Sequence, residues 1–235
     1  MQLADLTLFE AVVEVRYASA YLLWDRTGDL WAKLDLHFPG LRMLAVQPNQ
    51  AAFRLGNDCE FTVRLENAVL AGFKPNRTLA QFTEHASYFF PLVVEMLEIA
   101  EFDRVGCRLM FTKEYPSARE ASEALLQSGV LRWPDGKHFN HSGEPIRPEW
   151  AFRWEDGKTG VHIRMRVDER KYDFVPPLVW EGPLPDKKDH IALTYDLDWY
   201  TEAPVLVTQI SFEDWIKQCI HLTNRDSDEF LEGVK

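Results

Sequence analysis

Arginine recurs at the centre of four apolar runs: Val13-Glu14-Val15-Arg16-Tyr17, Phe61-Thr62-Val63-Arg64-Leu65, Val105-Gly106-Cys107-Arg108-Leu109 and Val161-His162-Ile163-Arg164-Met165-Arg166-Val167. In each run the apolar residues take odd numbers and the arginines even ones. Alternation of period two marks strands with one dry face and one polar face. A guanidinium presents a planar fork of donors that matches a carboxylate or phosphate. A fifth run carries the opposite charge on the same parity, Asp196 and Asp198 in Leu193-Thr194-Tyr195-Asp196-Leu197-Asp198-Trp199-Tyr200.

Two outcomes stay open for these charges. If the strands are neighbours, Asp196 and Asp198 face Arg164 and Arg166 as cross-strand ion pairs, and Glu14 with Arg16 and Glu66 with Arg64 do likewise. If helices partly cover the face instead, guanidiniums left over bind an anion. As catalytic groups, Asp196 and Asp198 suit an acid/base pair, or a hard metal ion if further oxygen ligands converge. No third ligand is visible, and no metal or cofactor is expected.

Other chemistry is sparse. His138 and His141 are spaced for a metal clip but lack a companion ligand. His162 shares the polar face with Arg164, and His221 falls on the last helix. There is no G-x-S-x-G, Walker loop, G-x-G-x-x-G or H-E-x-x-H. Most of the eight tryptophans belong to the core, whereas Trp133 and Trp180 stand beside proline-rich loops and mark a partner surface.

The elements that must position these residues follow in a readable order. A strand over 12–18 precedes a helix with Leu23, Leu30, Trp31, Leu34 and Phe38 on one side, ended by Pro39-Gly40. Strands over 42–46, 51–55 and 60–73 come next. Thr78 caps a long helix whose inward stripe is Leu79, Phe82, Ala86, Phe89, Val93, Met96 and Leu97. Pro91 inside it predicts a kink or a break. A strand over 103–112 leads to a capping box at Ser117 and Glu120, with its helix stopping at Gly129. After a loop come strands over 150–154, 160–168, 191–200 and 205–210, then a final helix.

Thr78-Leu79-Ala80-Gln81-Phe82 and Ser211-Phe212-Glu213-Asp214-Trp215 share a layout of hydroxyl cap, apolar residue, polar pair and aromatic. The predicted fold is therefore α+β in two related halves, each an antiparallel sheet with helices on one side, in a helix-grip or TATA-binding-protein-like layout. Residues 1–132 form the first half, 133–149 a linker or long loop, and 150–235 the second half.

Composition sets the bounds. The 235 residues are 46% hydrophobic and 27% charged, values of an ordinary folded chain. The net charge of −11 argues against nucleic acid as the main partner. No apolar run is long enough to span a membrane and no secretory signal opens the chain. Three cysteines without a pairing pattern fit a reducing cytoplasm.

Three short motifs resemble an uncharacterised, sporadically distributed family of bacterial proteins. They are F-x-x-x-x-E-V-R at Phe9, Glu14, Val15 and Arg16; R-x-G-x-R at Arg104, Gly106 and Arg108; and D-x-D-x-Y at Asp196, Asp198 and Tyr200. His221 and Phe230 match the helix that follows. Leu109 departs from the tyrosine usual there. The resemblance implies architecture and no activity.

The functional expectation is a non-enzymatic cytoplasmic binding or interaction protein. It would hold an unknown protein or an anionic small molecule through Arg16, Arg64, Arg108, His162, Arg164 and Arg166, or through Trp133 and Trp180. The alternatives are an enzyme acting on an anionic small molecule between the halves, with Asp196 or Asp198 as base, and a nucleic-acid binder using a concave sheet.

Overall fold

A computed structural model describes residues 1–73, 78–128, 146–170 and 190–232. Trp133, Trp180, His138, His141 and most of the predicted linker lie outside these residues.

The chain runs β1 (Thr7–Arg16), α1 (Leu23–His37), β2 (Leu41–Gln47), β3 (Gln50–Leu55), β4 (Cys59–Arg64), β5 (Asn67–Phe73) and α2 (Leu79–Leu97). It continues with β6 (Glu101–Phe102), β7 (Arg104–Tyr115), α3 (Ala118–Leu126), β8 (Glu149–Glu155), β9 (Thr159–Arg170), β10 (His190–Thr201), β11 (Val205–Leu206) and α4 (Phe212–Leu231). Among the described residues nine strands form one antiparallel sheet in the order β2-β3-β4-β5-β1-β7-β10-β9-β8, and β6 and β11 make a small second pair. The fold is α+β. At the centre of the sheet β1 pairs with β7 over Thr7–Arg16 and Arg104–Thr112.

The alternation seen in the sequence holds on the central strands. Val13 and Val15, Val105, Cys107 and Leu109, Ile163 and Met165, and Leu193, Tyr195 and Leu197 are all buried on the odd-numbered side. On that side α1 meets β3 and β4 through Trp31 against Phe53 and Phe38 against Phe61. Phe89 of α2 packs on Phe61. Thr223 and Ser227 of α4 meet Trp199 and Tyr195 by hydrogen bonds, and Ala121 and Leu125 bring α3 into the same core. One dry layer thus joins α1, α2, α3 and α4 to the sheet, and the even-numbered side of the central strands β1, β7, β9 and β10 carries the charges.

Four local expectations change. The single strand predicted over 60–73 is two, β4 and β5, because the buried parity flips from Phe61 and Val63 to Ala68 and Leu70 across a two-residue turn. The turn at Leu65-Glu66 has no glycine or proline to announce it. Pro91 does not break α2, which runs unbroken through it. Pro91 is exposed there, while buried Phe89, Phe90, Leu92 and Val93 anchor both flanks. The segment expected as a strand over 205–210 has only Val205 and Leu206 extended, followed by a 3-10 turn over Val207–Gln209. Finally, Ser117 caps α3 by accepting from the Glu120 amide, but Glu120 takes the serine hydroxyl rather than the cap's backbone amide. At Thr78 the reciprocal box does form, with Gln81. No helix among the described residues is long and apolar enough to cross a membrane.

Candidate functional site

The three motif strands β1, β7 and β10 lie side by side at the middle of the sheet. Their register puts Tyr200 opposite Gly106, and Asp198 opposite Arg108, on the polar face. On its other side β10 faces β9, with Tyr200 opposite Gly160, Asp198 opposite His162 and Asp196 opposite Arg164. The expected facing of both aspartates with Arg164 and Arg166 is therefore corrected. Arg166 lies opposite Thr194, and Asp198 meets a histidine.

Asp196 is the focus. Arg108 grips it with two bonds, Nε to Oδ1 at 2.7 Å and the terminal nitrogen to Oδ2 at 2.6 Å. Arg164 adds a third at 2.8 Å, and Arg166 stands 3.7 Å away. The Asp196 side chain is 5% exposed. Burial alone would raise its pKa, but the hydrogen bonds and charges of Arg108 and Arg164 outweigh this and hold the carboxyl below its ordinary value. A carboxylate so held is a weaker proton acceptor than a free aspartate.

Asp198 has one guanidinium, Arg104, at 2.7 Å. Burial is the largest influence on it, exceeds the pull of Arg104, and leaves its pKa raised. Arg104 also approaches Glu14 at 3.6 Å. Glu14 accepts twice from Arg16 at 3.2 Å and once from Asn67 at 2.9 Å. Although burial opposes it, these partners lower the Glu14 pKa. Glu14 and Arg16 pair as the sequence suggested. Glu66 and Arg64 do not: Arg64 donates to Gln50 and Glu66 accepts from Ser19.

Two glycines make this packing feasible. A Cβ on Gly160 would stand 2.5 Å from the Tyr200 ring, and one on Gly106 would stand 2.8 Å from the Arg104 guanidinium. The Tyr200 ring therefore lies across Gly160, with Arg104 4.9 Å and Arg153 5.6 Å from its centre. Its hydroxyl donates to Glu155 at 2.8 Å. The spacing R-x-G-x-R thus has a steric reason: the middle residue must vacate the space the first arginine occupies.

Arg16 and Arg64 occupy a second region, at the ends of β1 and β4. With Glu14, Glu66, Asn67 and Asp103 they line an open cleft of about 980 Å³. The Arg16 side chain is 55% exposed, and Arg64 is exposed as well. The predicted arginines therefore divide into two groups. Arg108, Arg164 and Arg166 are gathered on Asp196 or tied to Asp168, whereas Arg16 and Arg64 border the cleft. His162 sits half-buried between the rows, opposite Asp198 and Arg153.

Sequence reasoning placed Arg104, Gly106 and Tyr200 in motifs without assigning them a role. The signal was present: two glycines and one large aromatic ring on strands of equal parity imply close approach. Among the described residues no cluster of three or more His, Cys, Asp and Glu is placed to hold a metal ion. No protein-family model matches this chain, and no curated protein matches it.

Proposed function

We propose that this protein is a non-enzymatic binding module that holds a charged segment of a partner protein in the cleft at the ends of β1 and β4, with Arg16 and Arg64 as donors. The observation carrying this reading is the exposure of those two arginines on the wall of an open cleft, Arg16 being 55% exposed although paired with Glu14 and Arg64 donating to the neutral Gln50, whereas Arg108, Arg164 and Arg166 are less exposed on Asp196 and Asp168. The lining mixes two guanidiniums with the carboxylates of Glu14, Glu66 and Asp103. Mixed signs suit a polypeptide carrying both charges better than a compact anion, which three carboxylates repel.

Affinity capture tests the proposal. Immobilised wild-type protein retains a partner from bacterial lysate that the R16A/R64A variant loses, identified by mass spectrometry. The same proteins on both resins would reject the reading. A second reading, an enzyme acting on an anionic small molecule, is favoured by the raised pKa of Asp198. That carboxyl is the one of the pair suited to accept a proton.

We also propose that the halves descend from one duplicated unit in a helix-grip-like arrangement. Supporting it, with the boundary moved from residues 133–149 to the start of β7, the units β1 to α2 and β7 to α4 each run strand, helix, a meander that returns to pair with the first strand, then a capped helix. Thr78 and Ser211 both accept from the amide three residues on. Membership of the sporadically distributed bacterial family is supported by the meeting of its three motifs, through Glu14, Arg104, Arg108, Asp196 and Asp198, on adjacent strands.

A further inference from the structure

Away from the arginine face, Cys59 at the start of β4 lies with its sulfur 3.7 Å from Nδ1 of His85 on α2. Both residues border a small pocket with Leu79, Phe82 and the helix cap Thr78. Cys59 is 2% exposed, and the pocket offers about 20 Å³, space for one water-sized molecule. Thr78 at its rim is exposed and Asp58 partly so. Phe38 stands edge-on to the imidazole at 4.9 Å and Phe61 lies 6.1 Å from it, so rings fix its orientation.

A thiol beside an imidazole can pass its proton to the ring, and the thiolate is the reactive form. The pocket then selects by size. Room for one small molecule suits a peroxide better than a disulfide or a bulky alkylating agent. From this geometry we propose that Cys59 is a peroxide-reactive thiol with His85 as its base. His85 takes the Cys59 proton, and the sulfur attacks one peroxide oxygen. The O–O bond breaks, and the departing hydroxide leaves as water with the proton from His85. The sulfur is oxidised to a sulfenic acid and the peroxide is reduced to water.

The other two cysteines provide an internal control. Cys107 and Cys219 are also buried, and they face each other across β7 and α4. Burial and the neighbouring Cys107 push the Cys219 thiol pKa up, which disfavours its thiolate.

The test treats native protein with hydrogen peroxide, quenches, blocks remaining thiols under denaturing conditions and reads each cysteine by mass spectrometry. Oxygen is expected first on Cys59, with Cys107 and Cys219 unchanged. H85N keeps an amide near the Nδ1 position without its basicity and should slow Cys59 oxidation by roughly tenfold or more. Dithiobis(nitrobenzoate), too large for the pocket, should leave native Cys59 unmodified. Equal oxidation of all three cysteines in the wild type overturns the proposal. So does an H85N rate equal to wild type, or attack on native Cys59 by the bulky disulfide. If H85N exposes Cys107 and Cys219, the wild-type comparison of peroxide with the bulky disulfide decides alone.

Discussion

Arginines of the same parity on the same sheet face behave in two ways. Around Asp196, three guanidiniums converge on a carboxylate that is nearly sealed from solvent. At the cleft, Arg16 pairs with Glu14 and Arg64 with Gln50 while both stay largely exposed. The difference lies in the neighbours. Arg108, Arg164 and Arg166 stand mid-strand with acidic strands or residues beside them, whereas Arg64 faces the neutral Gln50 across the β3–β4 pair. Burial of the pair, more than residue type, separates the sealed Asp196 cluster from the exposed arginines of the cleft.

The comparison breaks most readily at Asp196. Replacing it with alanine removes the bidentate partner of Arg108 and the nearer carboxylate of Arg164, while Arg166 keeps Asp168, and should lower stability by about 2–3 kcal/mol, less than a fully sealed pair because the arginines are partly exposed, read by urea unfolding. The same residue sets an acid dependence. Its folded pKa is depressed, so its contribution is present above the ordinary aspartate range and is lost as pH falls through the lowered value. Glu14 acts in the same direction. Asp198, raised by burial, acts in the opposite one, since its contribution is lost as pH rises. The unfolding midpoint should therefore fall less steeply with acid in D196N than in the wild type.

An intermediate effect is expected at Gly160. An alanine there drives Cβ into the Tyr200 ring, and G160A should lose about 1–3 kcal/mol. G106A should lose less, because the obstructing atom is the end of a long arginine side chain. Adding Y200L to G160A should recover part of the loss, a coupling measurable by a double-mutant cycle.

The smallest effect sharpens the contrast. R64A should change stability by no more than about 0.5 kcal/mol, measured by thermal unfolding, since its guanidinium is exposed and donates to a neutral amide. A loss at Arg64 comparable to that at Asp196 would erase the distinction between the two regions.

What the sequence revealed follows from the range of each interaction. Alternation is local, so the buried sides of β1, β7, β9 and β10 were legible from the run of Val, Ile and Leu alone. The helix stripe from Phe82 to Leu97 was legible for the same reason. Pairing is not local: that Asp196 would take Arg108 rather than share Arg166 with Asp198 depends on strands 88 residues apart in sequence coming into register. The β4–β5 turn passed unseen because it carries Leu65 and Glu66 instead of turn-forming residues. Cys59 and His85 meet through the seating of α2 on β4, which no spacing pattern encodes. The cleft likewise arises where strands end, and strand ends are the features that periodicity defines least well.

The order of the sheet also shapes biosynthesis. β1 occupies the middle, yet its partners are supplied by residues 67–73 and 104–112. A chain growing on the ribosome therefore carries β1 with its backbone unpaired until β5 has emerged, and its second edge stays open until β7 follows. Over that interval Val12, Val13 and Val15 form an unpaired apolar edge, the kind of template that pairs wrongly with other chains.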